Sequence, residues 1–150
     1  MLVLFGQPLA RVVTMRMDDF REGPNGLEVK LGRDWIGVPE AAAAVIRVHL
    51  ASRPGLSTAA NPDCPLVFPG RMPGRTMHVY SVATILRESG IPAMASRSRA
   101  WIQMVRQAPP AVLADALGVN PQTAMRYAER AGTDYLGYPA LRSLQGPEGA

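Results

Sequence analysis

At 150 residues and 47% hydrophobic, the chain has the length of a single domain and enough apolar side chains for one sizeable core. Its lone cysteine, Cys64, excludes an internal disulfide, no Cys/His cluster has the spacing of a structural zinc site, and no apolar run reaches the 18 residues or so of a membrane-spanning helix. The formal net charge of +4 is unevenly placed: residues 1–70 carry seven basic and seven acidic side chains and residues 71–150 nine and five, so the whole excess lies in the second half.

The chain opens on an apolar stretch, Leu2 to Phe5, too short for a secretory signal and without its basic flank, so a cytoplasmic location is expected. After Gly6-Gln7-Pro8, apolar Leu9, Val12, Val13 and Met15 stand at helical spacing. Pro24-Asn25-Gly26 is a turn signal, and Leu27, Val29 and Leu31 alternate after it; with Trp35-Ile36-Gly37-Val38 they predict a small antiparallel sheet. Pro39 fits the first turn of a helix that Glu40 to Ala51 continues. Residues 52–77 hold five prolines and form a long connection, broken by apolar Leu66-Val67-Phe68. Further helices are expected from about His78 to Ser89, closed by Gly90 and Pro92, and at about 95–107, 110–117 and 121–131. The Gly- and Pro-containing stretch 132–150 is expected to be a partly ordered tail.

Six arginines between Arg71 and Arg106 stand against the single acid Glu88. Such an excess suits a polyanion, because each guanidinium can fork onto phosphate oxygens and displace condensed counterions; a solvated arginine-rich surface has the same composition. The most informative local pattern is Pro110 to Tyr127. Two short helices flank Gly118-Val119-Asn120, with small Ala114 where helices approach and Gly118 where the turn needs φ > 0. The pattern is that of a helix-turn-helix with Leu113, Leu117, Val119, Ala124 and Tyr127 inside and Gln122, Thr123 and Arg126 facing outward, within reach of base edges or phosphates. A helical hairpin used only for packing gives much the same pattern.

Five weak motifs in order and spacing resemble the catalytic domain of tyrosine recombinases of the phage-integrase type. Gly6 to Phe20 resembles the family's T-G-L-R-I-S-E-L-L-x-L-R-W-x-D-I stretch; the hairpin and the helix after Val38-Pro39 follow in place. Leu66-Val67-Phe68-Pro69-Gly70-Arg71 looks like L-F-P-S-R, and Gly90-Ile91-Pro92 leads toward the place of H-x-L-R-H. Ala116-Leu117-Gly118-Val119 resembles L-L-G-H, and Thr123 to Ala128 resembles the T-T-x-x-Y-x-H segment that bears the nucleophile.

The resemblance implies a tyrosine that attacks a DNA phosphodiester while two arginines and a histidine stabilise the phosphorane oxygens, helped by a hairpin lysine and a second histidine. Carried over residue by residue, most of that set is absent. The first arginine falls on Pro8, with Arg11 one helical turn away; the histidine of H-x-L-R-H falls on Met94, and that of L-G-H on Val119. Lys30 is near the hairpin lysine but out of register. Arg97 matches the second arginine with a one-residue deletion before Gly118, and Tyr127 matches the nucleophile, one residue closer to Gly118 than the family pattern.

The expected fold is therefore mainly α with a small antiparallel β-hairpin sheet, recombinase catalytic-domain-like over residues 1–131 and N-terminally incomplete. The expected function is binding of double-stranded DNA by a relative of the proteins of DNA recombination and integration, without strand cleavage; the alternative is a helix-turn-helix transcriptional regulator using residues 110–131. Arg97 and Tyr127 are the expected catalytic remnants. Arg71, Arg75, Arg97, Arg99, Gln122, Thr123 and Arg126 are the expected DNA contacts, with no metal or cofactor.

Overall fold

The computed structural model describes residues 1–52 and 64–132, so the tail expected at 132–150 lies, apart from Gly132, outside the described residues. The chain is mainly helical with one three-stranded antiparallel sheet. None of its described helices is long and apolar enough to cross a membrane.

Pro24-Asn25 turns β1 (Phe20–Gly23) into β2 (Gly26–Lys30), in a register that sets Phe20 opposite Val29 and Gly23 opposite Gly26. β3 (Trp35–Gly37) pairs along the other edge of β2, from Glu28 opposite Gly37 to Lys30 opposite Trp35. The two-residue alternation of a strand sends Leu27, Val29 and Leu31 into the core and Glu28 and Lys30 to the opposite face. On that outer face Trp35 lies 4.2 Å from the Arg21 guanidinium and 5.9 Å from the Lys30 ammonium, measured to the ring.

The apolar opening of the chain is a helical turn, α1 (Leu2–Phe5), ended by Gly6 in the left-handed conformation; α2 (Leu9–Val12) starts after Pro8. Pro39 opens α3 (Glu40–Ser52), its carbonyl accepting from the N–H groups of Ala42 and Ala43 at 2.9 Å. Arg47 on α3 reaches back to Glu22 of β1 at 2.7 Å and along its own helix to Glu40 at 2.8 Å. The hydrogen bond from Arg47 holds the Glu22 carboxyl below its usual range.

The apolar segment Leu66-Val67-Phe68 that breaks the long connection packs on the core. The segment runs back beside residues 15–17, with Val67 N–H donating to Met15 at 2.9 Å and Met17 N–H donating to Pro65 at 2.8 Å. Leu66 and Val67 are buried, and the His49 ring lies 3.1 Å from the Val67 carbonyl and against Phe68, a structural placement for that histidine. His78 caps α4 (Val79–Glu88) through Nδ1, which accepts from the Tyr80 N–H at 3.2 Å. α5 (Ala93–Val105) follows Pro92 and starts two residues before the expected position. It is the central helix, burying Ala100, Trp101 and Val105.

The last two helices, α6 (Pro110–Leu117) and α7 (Pro121–Ala131), fall where the sequence pattern puts them. Gly118 adopts φ +59°, and a Cβ there would collide with the Leu31 carbonyl, so only glycine allows the turn to sit on the hairpin. Arg11 locks this junction: its guanidinium donates to Leu117 O at 3.1 Å, to Gly118 O at 2.8 Å and to Leu31 O. Buried Gln7 donates to the same Leu117 carbonyl at 3.1 Å. A cation at the C-terminal end of α6 satisfies carbonyls that have no partner within the helix and opposes the negative end of its dipole.

Replacing Arg11 by methionine keeps the aliphatic volume and removes three hydrogen bonds to backbone carbonyls. The expected loss of folding stability is about 2–3 kcal/mol. Urea unfolding of the two chains measures it, and an unchanged midpoint would contradict the structural role.

Candidate nucleic-acid interface

The helical repeat brings Thr123, Arg126, Tyr127 and Arg130 to one face of α7, at i, i+3, i+4 and i+7. That face meets α5, where Arg97 and Trp101 stand one turn apart. Arg97, Thr123, Arg126, Tyr127 and Arg130 together line a hollow of about 240 Å³. Two segments that are distant in sequence therefore close on one space.

Gly6 organises the floor of this hollow. Its carbonyl accepts from Arg97 Nε at 2.7 Å and from Trp101 Nε1 at 3.1 Å. Trp101 is fully buried, and the bond answers its single polar atom. Tyr127 stacks on the indole with ring centroids 5.3 Å apart and planes 7° from parallel. The Arg130 guanidinium sits 5.7 Å from the centre of the Tyr127 ring, in range of a cation–π attraction. The tyrosine is thus positioned from below by Trp101 and from the helix by Arg130. Arg97 is bonded to Gly6 through Nε and lines the hollow.

Three guanidiniums and two hydroxyls line the space, and no carboxylate, imidazole or ammonium does so among the described residues. Nor does any ion pair among the described residues engage Arg97, Arg126 or Arg130. The arrangement supplies hydrogen-bond donors and uncompensated positive charge, the requirements of a phosphate group. Among the described residues that line it, none is suited to take the proton from the Tyr127 hydroxyl or to give one to a leaving oxygen near neutral pH.

Of the residues singled out in the sequence, Arg97, Thr123, Arg126 and Tyr127 meet here. Gln122 lines an adjoining groove that shares Arg126 with the hollow. Arg99 is exposed on α5 and Arg71 and Arg75 are exposed in the turn closed by Gly70 N–H to Arg75 O at 2.7 Å; none of the three lines the hollow. Arg130 was missed by the family comparison of motifs, although its place one turn beyond Arg126 was a usable signal. Of the other positions set against the recombinase motifs, Pro8 precedes α2, Met94 is 73% exposed and Val119 is packed against the core. Arg11 is committed to backbone carbonyls. Lys30 stands on the outer face of the sheet beside Trp35.

A methyl group on Gly6 would lie 2.5 Å from Trp101, on a residue held at φ +57°. Gly6→Ala is expected to lower stability by about 1–3 kcal/mol and to reduce the near-ultraviolet circular dichroism of the Trp101–Tyr127 stack. An unchanged aromatic spectrum with an unchanged melting midpoint would contradict this arrangement. No protein-family model, curated protein or solved structure matches the chain.

Proposed function

We propose that this chain binds duplex DNA as a catalytically silent relative of the tyrosine recombinases, with the hollow between α5 and α7 holding a backbone phosphate. The observation that carries the reading is the meeting of Arg97 and Tyr127 with Arg126 and Arg130 around one space without a lining carboxylate. A phosphodiester oxygen there receives forked guanidinium donors and the Thr123 and Tyr127 hydroxyls, while the rest of the duplex lies along a surface whose charge excess is all in residues 71–150.

Silence follows from the same inventory. Each missing charged stabiliser of a phosphorane costs about 10²–10³ in rate, and Pro8, Met94 and Val119 replace three of them. Tyr127 also has no proton acceptor among the described residues that line the hollow. A nucleophile without an acceptor, facing a phosphate without its full set of donors, binds without turning over.

Fluorescence anisotropy of a labelled duplex, titrated at several salt concentrations, tests the reading. Affinity is expected to fall steeply with salt, with a logarithmic slope of about −3 or steeper, and Arg130→Gln should reduce that slope by about one. A nicked duplex should give no covalent adduct. Absence of binding at low salt would overturn the DNA reading, and an adduct lost in Tyr127→Phe would overturn the silence.

A further inference from the structure

The exposed side of α7 carries a second strip beside the arginines. Pro121, Gln122, Met125, Arg126 and Glu129 line a groove of about 490 Å³, which meets the phosphate hollow at Arg126. Gln122, Met125 and Glu129 are spaced i, i+3 and i+7, so they share one face of the helix, and all three are exposed, Met125 at 46%. The opposite side of the helix is packed: Ala124 and Ala128 are buried and Tyr127 rests on Trp101. Asn120 caps the helix by accepting from the Gln122 backbone N–H at 2.9 Å, and the Gln122 side chain is exposed in the groove.

The chemistry of this strip differs from that of the hollow. A carboxylate on a surface that meets phosphates weakens non-specific attraction, and an exposed methionine adds nothing to it. Both are useful on a helix that enters the major groove. A carboxylate accepts from the amino group of cytosine, a glutamine amide pairs with the N6/N7 edge of adenine, and an apolar group meets the methyl of thymine. Arg126, shared by groove and hollow, stands at the boundary between backbone and bases.

We propose that Gln122, Met125 and Glu129 read base edges in the major groove of duplex DNA while the arginines of the hollow hold the adjoining phosphate. This inference rests on the DNA reading above and adds sequence specificity to it. Gln122 and Glu129 are seven residues apart, about 10.5 Å along a helix rising 1.5 Å per residue, which matches about three base-pair steps of 3.4 Å. The strip therefore selects a short element with adenine at the Gln122 end, a thymine methyl under Met125 and cytosine at the Glu129 end.

The test is selection from duplexes with a randomised centre by the full chain, followed by anisotropy titration of the selected duplex and a scrambled one at fixed salt. The selected duplex is expected to bind at least about tenfold more tightly, and Gln122→Ala or Glu129→Gln should each reduce that ratio by about tenfold. Arg130→Gln should weaken binding to both duplexes alike. All three positions are exposed, and the melting midpoints of the variants check that folding is retained. Salt-dependent binding with no enriched sequence would overturn base reading while leaving the phosphate hollow standing, as would a preference that survives both Gln122→Ala and Glu129→Gln. No binding to any duplex would overturn both proposals.

Discussion

The carbonyl of Gly6 is shared by two side chains of one helix, Arg97 and Trp101, and the arrangement of the hollow depends on that sharing. A left-handed glycine ends α1 and turns its carbonyl toward α5; any side chain at that position would displace the indole. Once Trp101 is fixed, its face becomes the seat of Tyr127, and the face of α7 that carries Tyr127 necessarily brings Thr123, Arg126 and Arg130 to the same place. No carboxylate among the described residues lines the hollow itself, while Glu129 lines the adjoining groove with Arg126.

A second anchor, Arg11, sets where the helix pair itself sits. Its guanidinium spans the end of α6 and the end of β2, so the helix-turn-helix and the hairpin form one unit. Gly118 and Gly32 allow the contact, since a Cβ on either would meet the other element's backbone. Arg11 thus serves architecture, and the arginines of the hollow come from α5 and α7.

Much of this was legible from local chemistry. The limits of α6 and α7 followed from Pro110, Gly118, Pro121 and Gly132, whose backbone preferences act within a turn or two. The hairpin followed from alternation and a turn signal. The role of Leu66-Val67-Phe68 was hidden, because its partners at residues 15–17 lie about fifty positions away and nothing local announces the pairing. The pairing of Arg97 with Tyr127 came from ordered motifs, whereas Arg130 and the Gln122–Met125–Glu129 strip needed the helix face to be placed against α5. Arg71, Arg75 and Arg99 show the opposite case: composition grouped them with Arg97, and the fold leaves them outside the hollow.

The chain has two tryptophans: Trp101 stacks under Tyr127 beside the arginine hollow, and Trp35 lies on the outer face of the sheet. Nuclear magnetic resonance titration of the isotope-labelled protein with a short duplex reads their indole N–H signals separately, together with the arginine Nε–H groups. Phosphate held between α5 and α7 should shift Trp101, Arg97, Arg126 and Arg130 and leave Trp35 in place. Shifts confined to Trp35 and its neighbours Arg21 and Lys30, with the Trp101 signal unmoved at saturation, would contradict it.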